Sequence, residues 1–376
     1  MNVGILTFHA SHNCGSMLQA FALQYVLEHK FNVNCEIINF SNKGSRDLYG
    51  MFDSRLSMAG IRHNINNVLH YRKIKQVRKD YILFSLKYLK KTKEHYSTCR
   101  SLRGIDERYD IIISGGDQVW NIMCQDADDA YFLNFANNVK KIAYSPSFGA
   151  MNIMKYAKNP DIYKRYLLDY DYLSVREFNG QKWLKDLINI DVPLMPDPTM
   201  LLTKDEWDNI FNIPNMHEDF IFNYAFNYGN DENNEKLKEI SLATKLPIYI
   251  MDANSFTMNN LGKKYGFVLY PESGPLAFLK LMKSAKLVIT QSFHGTLFSC
   301  LFNKVFWPYR NKKITNTSDD RAASLTTQLG ISDRYKTLGE INIDEIFTPI
   351  DYNIVNKKIA ELSDKGYTFL NNVLNN

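Results

Sequence analysis

A chain of 376 residues with 45% hydrophobic, 23% charged and 13% aromatic content has the balance of a folded protein, which excludes disorder, and its length suggests two domains. Its five cysteines, Cys14, Cys35, Cys99, Cys124 and Cys300, are odd in number, widely spaced and without a CxxC pair, so neither a disulfide framework nor a zinc finger is indicated and a reducing compartment is expected. Basic residues outnumber acidic ones by 45 to 40, and the stretch from Tyr71 to Lys93 carries the whole excess, with nine Lys or Arg against one acid, Asp80.

The start, MNVGILTF, has no basic n-region and runs at once into His9, Ser11, His12 and Asn13, so it reads as a buried first strand and not as a signal peptide. No apolar run approaches the roughly 20 residues of a membrane span. A soluble, cytosolic protein is expected.

Val3 to Phe8 is the first strand. A polar loop, His9-Ala-Ser-His-Asn-Cys-Gly-Ser16, follows it, and Leu18, Phe21, Ala22, Tyr25 and Val26 recur at helical spacing to about Lys30. Asn13, Gly15, Ser16 and Gln19 either line a strand-end pocket or serve as helix cap and tight turn. His9, His12 and Cys14 match no recognised zinc spacing, so no metal is expected. Cys35 to Phe40 is the next strand. Residues 62–95 read as one long helical region with Ile74, Val77, Tyr81, Phe84 and Tyr88 as its apolar stripe and a basic opposite face.

Tyr109 to Ser114 is a central strand ending in Gly115 and Gly116, whose lack of side chains lets the backbone approach a ligand. Asp117 at its tip is either a base toward a sugar hydroxyl or a turn cap with Trp120 in the core. Lys141–Ser145 and Tyr172–Val175 read as further strands. The second ends in Arg176-Glu177, where a fixed guanidinium fork suits bidentate binding of phosphate or carboxylate, although Arg–Glu neighbours are usually surface pairs. After a helix holding Trp183 and Leu184, Val192–Met195 runs into Pro196-Asp197-Pro198, and the stretch from there to about His217 is the expected domain boundary.

A second alternation follows: strand Phe220–Phe226, helix 232–245, strands Pro247–Met251 and Phe267–Tyr270, helix 275–285, strand Leu287–Thr290 and a short strand near Val305–Trp307. Between the last two lies Thr290-Gln-Ser-Phe-His-Gly-Thr296. Ser292 and His294 there sit at a helix start, and this strand-to-helix crossover favours function for a histidine that elsewhere would more often be structural. Residues from Ile354 to Leu374 form a terminal helix expected to pack back on the first half. The fold class is therefore α/β, with an N-terminal domain over 1–205 including the basic region 62–95, a C-terminal domain over 217–340 and a helical tail over 341–376. GxGxxG, GxxxxGK[ST] and GxSxG motifs are absent, which argues against a dinucleotide oxidoreductase, a P-loop NTPase and an α/β-hydrolase.

The blocks NCGSMLQAFALQ (13–24), YDIIISGGDQVWN (109–121), AYSPSFG (143–149), SVRE (174–177), PDPTMLL (196–202) and SAKLVITQSFHGTLFSCLFNKVF (284–306) together resemble the polysaccharide pyruvyl transferase family in order and spacing. The likeness runs from about residue 3 to 335 and departs from the family pattern at Gly116 and Pro146. It implies a GT-B-like fold, two Rossmann-type domains facing a cleft, and transfer of the enolpyruvate-derived group of phosphoenolpyruvate to a sugar diol as a cyclic ketal with loss of phosphate. It also implies that Arg176 and His294 bind the donor and catalyse. Beyond the resemblance, the chemistry needs both an acid and a base: His294 is expected to supply the acid or hold the phosphate and Asp117 to take the hydroxyl proton. Asn13, Gly15, Ser16, Gln19, Gly115, Gly116, Ser292 and Gly295 are the expected substrate-binding residues by their place at strand ends, with Arg321 or Lys312 as further cations for the donor.

On this resemblance the partners are phosphoenolpyruvate and a hexose-containing, lipid-linked acceptor in cell-surface polysaccharide synthesis, with no cofactor. Two rivals stand beside it: a GT-B glycosyltransferase using a nucleotide sugar, and a non-catalytic sugar-binding member of an assembly complex. For the basic segment at 71–93 a solvated face and an anionic membrane surface weigh equally, while nothing supports nucleic acid.

Overall fold

The computed structural model describes residues 1–53, 57–226, 228–311 and 321–375. Short apolar runs that are buried on both faces need helices on each side, which is the condition for parallel sheets. Two such sheets form, and every strand pairing among the described residues is parallel. The first contains β1 (Asn2–Leu6), β2 (Asn34–Ile37), β3 (Ile111–Gly115) and β4 (Lys140–Tyr144) in the order β2-β1-β3-β4. The second contains β5 (Ile221–Tyr224), β6 (Ile248–Ile250), β7 (Val268–Leu269), β8 (Leu287–Thr290), β9 (Phe306–Arg310) and β10 (Lys336–Thr337) in the order β10-β9-β8-β5-β6-β7.

Each sheet reverses its winding once, between β1 and β3 and between β5 and β8. The crevices beyond the carboxyl ends of these strands are where open α/β sheets bind ligands. The loops at 8–13 and 116–121 leave the first switch point, and those that follow Tyr224 and Thr290 leave the second. An apolar core runs across both halves: Trp207 packs on Phe21 of the helix Cys14–His29 and on Phe298 of the helix Phe293–Leu301, at ring-centroid distances of 6.1 and 5.3 Å.

The terminal helix Tyr352–Asn375 does return to the first half. Leu370 and Val373 are buried, Tyr367 Oη donates to the Leu201 carbonyl at 2.8 Å, and a Cβ at Gly366 would lie 2.7 Å from Leu201 Cδ2.

Two segments differ from expectation. Residues 172–175 and 192–195 are extended but make only single bridges, Ile142 with Tyr172 and Val175 with Leu194. Ser145 turns out of the sheet at φ 53, its N–H is taken by Ser174 Oγ at 2.8 Å, and Pro193 has no N–H to continue a ladder. The region 62–95 is not one helix. It divides at His70 into Met58–Leu69 and Tyr71–Tyr88, and residues 89–96 then run beside β2, with the Ile37 N–H donating to the Lys90 carbonyl at 2.8 Å and the Thr92 N–H to the Ile37 carbonyl at 2.9 Å.

Candidate active site

The site is built around a carboxylate. Asp197, held between two prolines in the chain that joins the halves, is fully buried, and its Oδ2 accepts from Arg176 Nη1 at 2.6 Å. His294 Nε2 approaches the same oxygen at 3.3 Å, an ion-pair contact without hydrogen-bond alignment. Asp197 Oδ1 accepts from Thr199 N and Oγ1 at 3.0 and 2.7 Å. Burial alone would raise this carboxyl, but the opposing charges of His294 and Arg176 and the Thr199 bond outweigh it and hold it at about 2. A charge so deep in the protein is tolerable only with such partners.

Arg176 is correspondingly committed. Its Nε donates to Glu177 Oε1 at 2.7 Å, Nη1 also reaches the Gly116 carbonyl at 3.3 Å, and its guanidinium lies 4.2 Å from the centre of the Phe293 ring. Burial acts to lower its pKa, yet Glu177, Asp197 and Asp117 raise it, so it is a fixed cation. The fork expected to clasp an anion bidentately is thus spent on protein carboxylates. Among the described residues only Nη2 is left without a partner, in a narrow recess shared with Glu177, Asp197, Phe293 and Arg321.

Above this layer a cavity of about 360 Å³ is lined by Asn13, Ser16, Asp117, Gln118, Asp126, Ser292, Phe293, His294 and Arg321, among others. It joins loops of both switch points. Ser16 Oγ donates to Asp117 Oδ2 at 2.5 Å, and the Gln118 N–H donates to Asp117 Oδ1 at 2.8 Å, which fixes the carboxylate at the strand tip. Ser292 Oγ caps the helix Phe293–Leu301 by accepting from the Gly295 N–H at 3.2 Å, so the positive end of that helix meets the cavity. The Gln118 amide, with its oxygen turned to the guanidinium, accepts from Arg321 Nη1 and Nη2 at 3.1 and 3.0 Å.

The expected binding residues therefore divide. Asn13, Ser16, Ser292 and Arg321 reach the cavity, although Asn13 Oδ1 also caps the first helix, accepting from Gly15 N at 2.9 Å and Ser16 N at 3.3 Å. Gly15, Gly115, Gly116 and Gly295 act by having no side chain. A Cβ at Gly15 would sit 2.1 Å from His294 Nδ1, at Gly115 1.9 Å from the Tyr144 carbonyl, at Gly116 2.0 Å from Gln19 Oε1 and at Gly295 2.1 Å from Thr290 Oγ1. Gln19 is wholly buried and ties the first loop together, donating to Thr7 Oγ1 at 2.8 Å and the Ser16 carbonyl at 2.9 Å. Lys312 lies outside the described residues.

Two residues were missed. In the sequence Asp197 belongs to a boundary turn and to the PDPTMLL block, with no role of its own, yet a charged residue set among Val192–Met195 and Met200–Leu202 has to be paired if those runs are core. Asp126 shares the cavity with Asp117, and burial, with a smaller push from Asp117, lifts it to about 6 against its own backbone hydrogen bond. No sequence pattern marks it. His9, His12 and Cys14 do not converge: His9 meets the Thr7 carbonyl and Asn39, and His12 stacks on Tyr81. Among the described residues no group of three His, Cys, Asp or Glu side chains is placed to hold a metal.

A second cavity, of about 480 Å³, adjoins the first through Asn13, Leu48, Tyr49 and Phe226. Its walls mix rings (His12, Tyr49, Tyr81, Tyr224) with amides (Asn13, Asn67, Asn254), and include Arg78, whose guanidinium donates to the Tyr49 carbonyl.

The sequence matches the family model described as polysaccharide pyruvyl transferase over residues 13–313. No curated protein sequence matches it. Among solved structures, the chain is similar to Methanocaldococcus jannaschii UDP-GlcNAc 2-epimerase in complex with UDP-GlcNAc and UDP, at 14% identity and TM-score 0.50 over 99% of both chains. It is likewise similar to UDP-N-acetylglucosamine 2-epimerase from Rickettsia bellii, at 10% identity and TM-score 0.51 over 99% of this chain and 97% of the other. A third is a putative UDP-N-acetylglucosamine 2-epimerase from Listeria monocytogenes, at 10% identity and TM-score 0.50 over 96% and 90%. At such identities the likeness fixes the fold, which is GT-B-like.

Proposed function

Since the chain belongs to the polysaccharide pyruvyl transferase family, a family of transferases that modify polysaccharides, we propose that it moves the enolpyruvate-derived group of phosphoenolpyruvate onto a sugar diol as a cyclic ketal and releases phosphate. The observation that carries this reading is one cavity in which His294, Asp117, Asp126, Arg321 and a helix N-terminus meet. The donor brings a phosphate and a carboxylate, which Arg321 and the helix start suit.

Protonation at C3 of the enol turns the methylene into a methyl and leaves an oxocarbenium ion at C2. One acceptor hydroxyl adds to C2 and gives up its proton. Phosphate then leaves with the C2–O electron pair, and the second hydroxyl closes the ring and gives up its own. Of the two hydroxyl protons, one replaces that delivered to C3 and the other leaves with phosphate.

Such a sequence needs an acid and a base in one place. In this reading Asp117, oriented by Ser16, takes the hydroxyl proton. His294, steadied on Asp197, delivers a proton or holds the phosphate. Asp126, whose carboxyl burial pushes up to about 6 and so keeps protonated well above the ordinary carboxylate range, is a second proton donor on the acid side of neutrality. Arg176 positions Asp197 and through it His294. The larger cavity receives the acceptor, since rings offer platforms to pyranose faces and amides bond vicinal hydroxyls; the acceptor is a hexose unit in lipid-linked form, presented at an anionic membrane surface.

The test is phosphate release from phosphoenolpyruvate across a panel of hexosides, with mass spectrometry of the product. Release that depends on a diol, with a carboxyethylidene group added to the sugar, supports the reading. Consumption of a nucleotide sugar instead overturns it.

A further inference from the structure

The helix Met58–Leu69 is amphipathic in the reverse sense. Its inward face carries His63, Asn64, Asn66 and Asn67; His63 and Asn67 line the larger cavity, and Asn66 Nδ2 donates to Asn254 Oδ1 at 3.4 Å. Its outward face carries Met58, Ile61, Ile65, Val68 and Leu69 at spacings of three and four, between 47% and 83% exposed. The next helix, Tyr71–Tyr88, buries Ile74 and Phe84 but exposes Ile82, Leu83 and Leu86, with Arg72, Lys75 and Lys79 exposed at the same spacing ahead of them. Both helices rest on the short helix Ala253–Met258, so these faces turn away from the body. Single exposed apolar residues are ordinary, but a helix stripe of five is not.

Charge identifies what covers it. From residue 57 to 93 there is one acid, Asp80, and it is turned inward, accepting from the Ser273 N–H at 3.1 Å and from Gln76 at 2.7 Å. A second copy of the chain would set cations against cations. A surface that is apolar just beneath an anionic layer satisfies both the stripe and the charges, and that is the headgroup region of a bilayer.

We propose that the outward face of the helical arm 58–88 docks on an anionic lipid bilayer, with Ile61, Ile65, Leu69, Ile82, Leu83 and Leu86 entering the interface and Arg72, Lys75 and Lys79 meeting the headgroups. This deepens the membrane part of the proposed function and relocates it. Lys90 and Lys91, counted from sequence among the membrane-facing cations, are engaged with Glu28 and Ser85. The polar underside of the same arm then places the larger cavity directly below the membrane surface.

The test is flotation with vesicles of phosphatidylcholine alone or mixed with phosphatidylglycerol, at low and high salt, for the wild type and two triple variants. One is Ile61→Ser, Ile65→Gln, Leu69→Gln; the other is Arg72→Gln, Lys75→Gln, Lys79→Gln. The wild type is expected on anionic vesicles at low salt and much less at high salt. Removing three cations should lower partitioning on the order of a hundredfold, about fivefold for each, and removing three inserted side chains by roughly tenfold or more. Melting temperatures and turnover of a soluble acceptor should stay at wild-type values, so vesicle binding can fail while pyruvyl transfer stands, or the reverse. Wild type that stays in the aqueous fraction, variants that float as well as wild type, or a dimer abolished by the apolar variant with no vesicle binding would each overturn the proposal.

Discussion

The Gly15→Ala variant probes the seam where the two halves meet. The added methyl would lie 2.1 Å from His294 Nδ1, 2.2 Å from Cγ and 2.7 Å from Cβ. The last distance matters most, because Cβ is fixed by the backbone and no rotation of the ring clears it. Reaching an ordinary carbon–carbon contact of about 3.5 Å requires the helices Cys14–His29 and Phe293–Leu301 to separate locally by somewhat under 1 Å. Overpacking of this kind costs about 1–3 kcal/mol, and the better helix propensity of alanine returns up to about 1 kcal/mol, so the net loss is about 0–3 kcal/mol and the chain still folds. Catalysis is hit harder. A displacement near 1 Å of a reacting group costs about a hundredfold, and His294 is the group displaced. The assay pairs a thermal melt with steady-state phosphate release: a small fall in Tm, a fall in kcat near a hundredfold and a KM for phosphoenolpyruvate within a few-fold of wild type. Wild-type kcat with an unchanged melt would refute the packing of His294 on Gly15 and with it the seam.

Asp197→Asn leaves Arg176 with one buried carboxylate instead of two and should cost about 3–5 kcal/mol, seen as a large drop in Tm. Because the Asp197 carboxyl is held at about 2, below its ordinary 3.8, its contribution is complete above pH 3.8 and lost as pH falls toward 2; the Tm of the wild type should fall through that window more than the Tm of Asp197→Asn does. Asp126 has the opposite sign. Held at about 6, it weakens the fold progressively as pH rises from 3.8 to 6, so Asp126→Asn should raise Tm at neutral pH and not below pH 3.8; if it donates a proton, kcat of the wild type also falls through about pH 6 and the variant loses that limb. Arg176→Lys keeps the charge and loses the paired contacts to Glu177 and Asp197, a loss of about 1.5–3 kcal/mol expected in kcat, with KM for the donor little changed; a reversed split would mean that Arg176 touches the donor directly.

The fold was legible wherever a buried strand fed a helix. Val3–Phe8, Tyr109–Ser114 and Leu287–Thr290 announce β1, β3 and β8 because parallel strands are apolar throughout, and the polar loops after them hold the site. What the sequence hid is of two kinds. Ser174 Oγ and Pro193 interrupt ladders that the apolar runs at 172–175 and 192–195 suggest, since a side chain can take a backbone N–H and a proline offers none. In the site, Ser16, Asp117, Ser292 and His294 were legible from strand-end position and Arg321 only through the anionic donor that the family resemblance implies, whereas the places of Asp197 and Asp126 come from partners and burial that only the fold assembles. Arg176 shows the limit most clearly. An arginine at a strand end can meet a ligand or a buried carboxylate, and only the position of Asp197 decides which. The helix Met58–Leu69 is a further instance, for its apolar stripe faces outward, against the usual reading of such a pattern.

Pyruvyl transfer is tested most directly by incubating the wild type with phosphoenolpyruvate isotopically labelled at C2 and a hexoside carrying a suitable diol, and following the labelled carbon by NMR while phosphate is measured. The signal should move from the enol position to that of a ketal carbon bonded to two sugar oxygens, in step with phosphate release, and both changes should vanish in His294→Ala and Asp117→Asn. A label that ends as free pyruvate, or stays in phosphoenolpyruvate while a nucleotide sugar is consumed, would contradict the account.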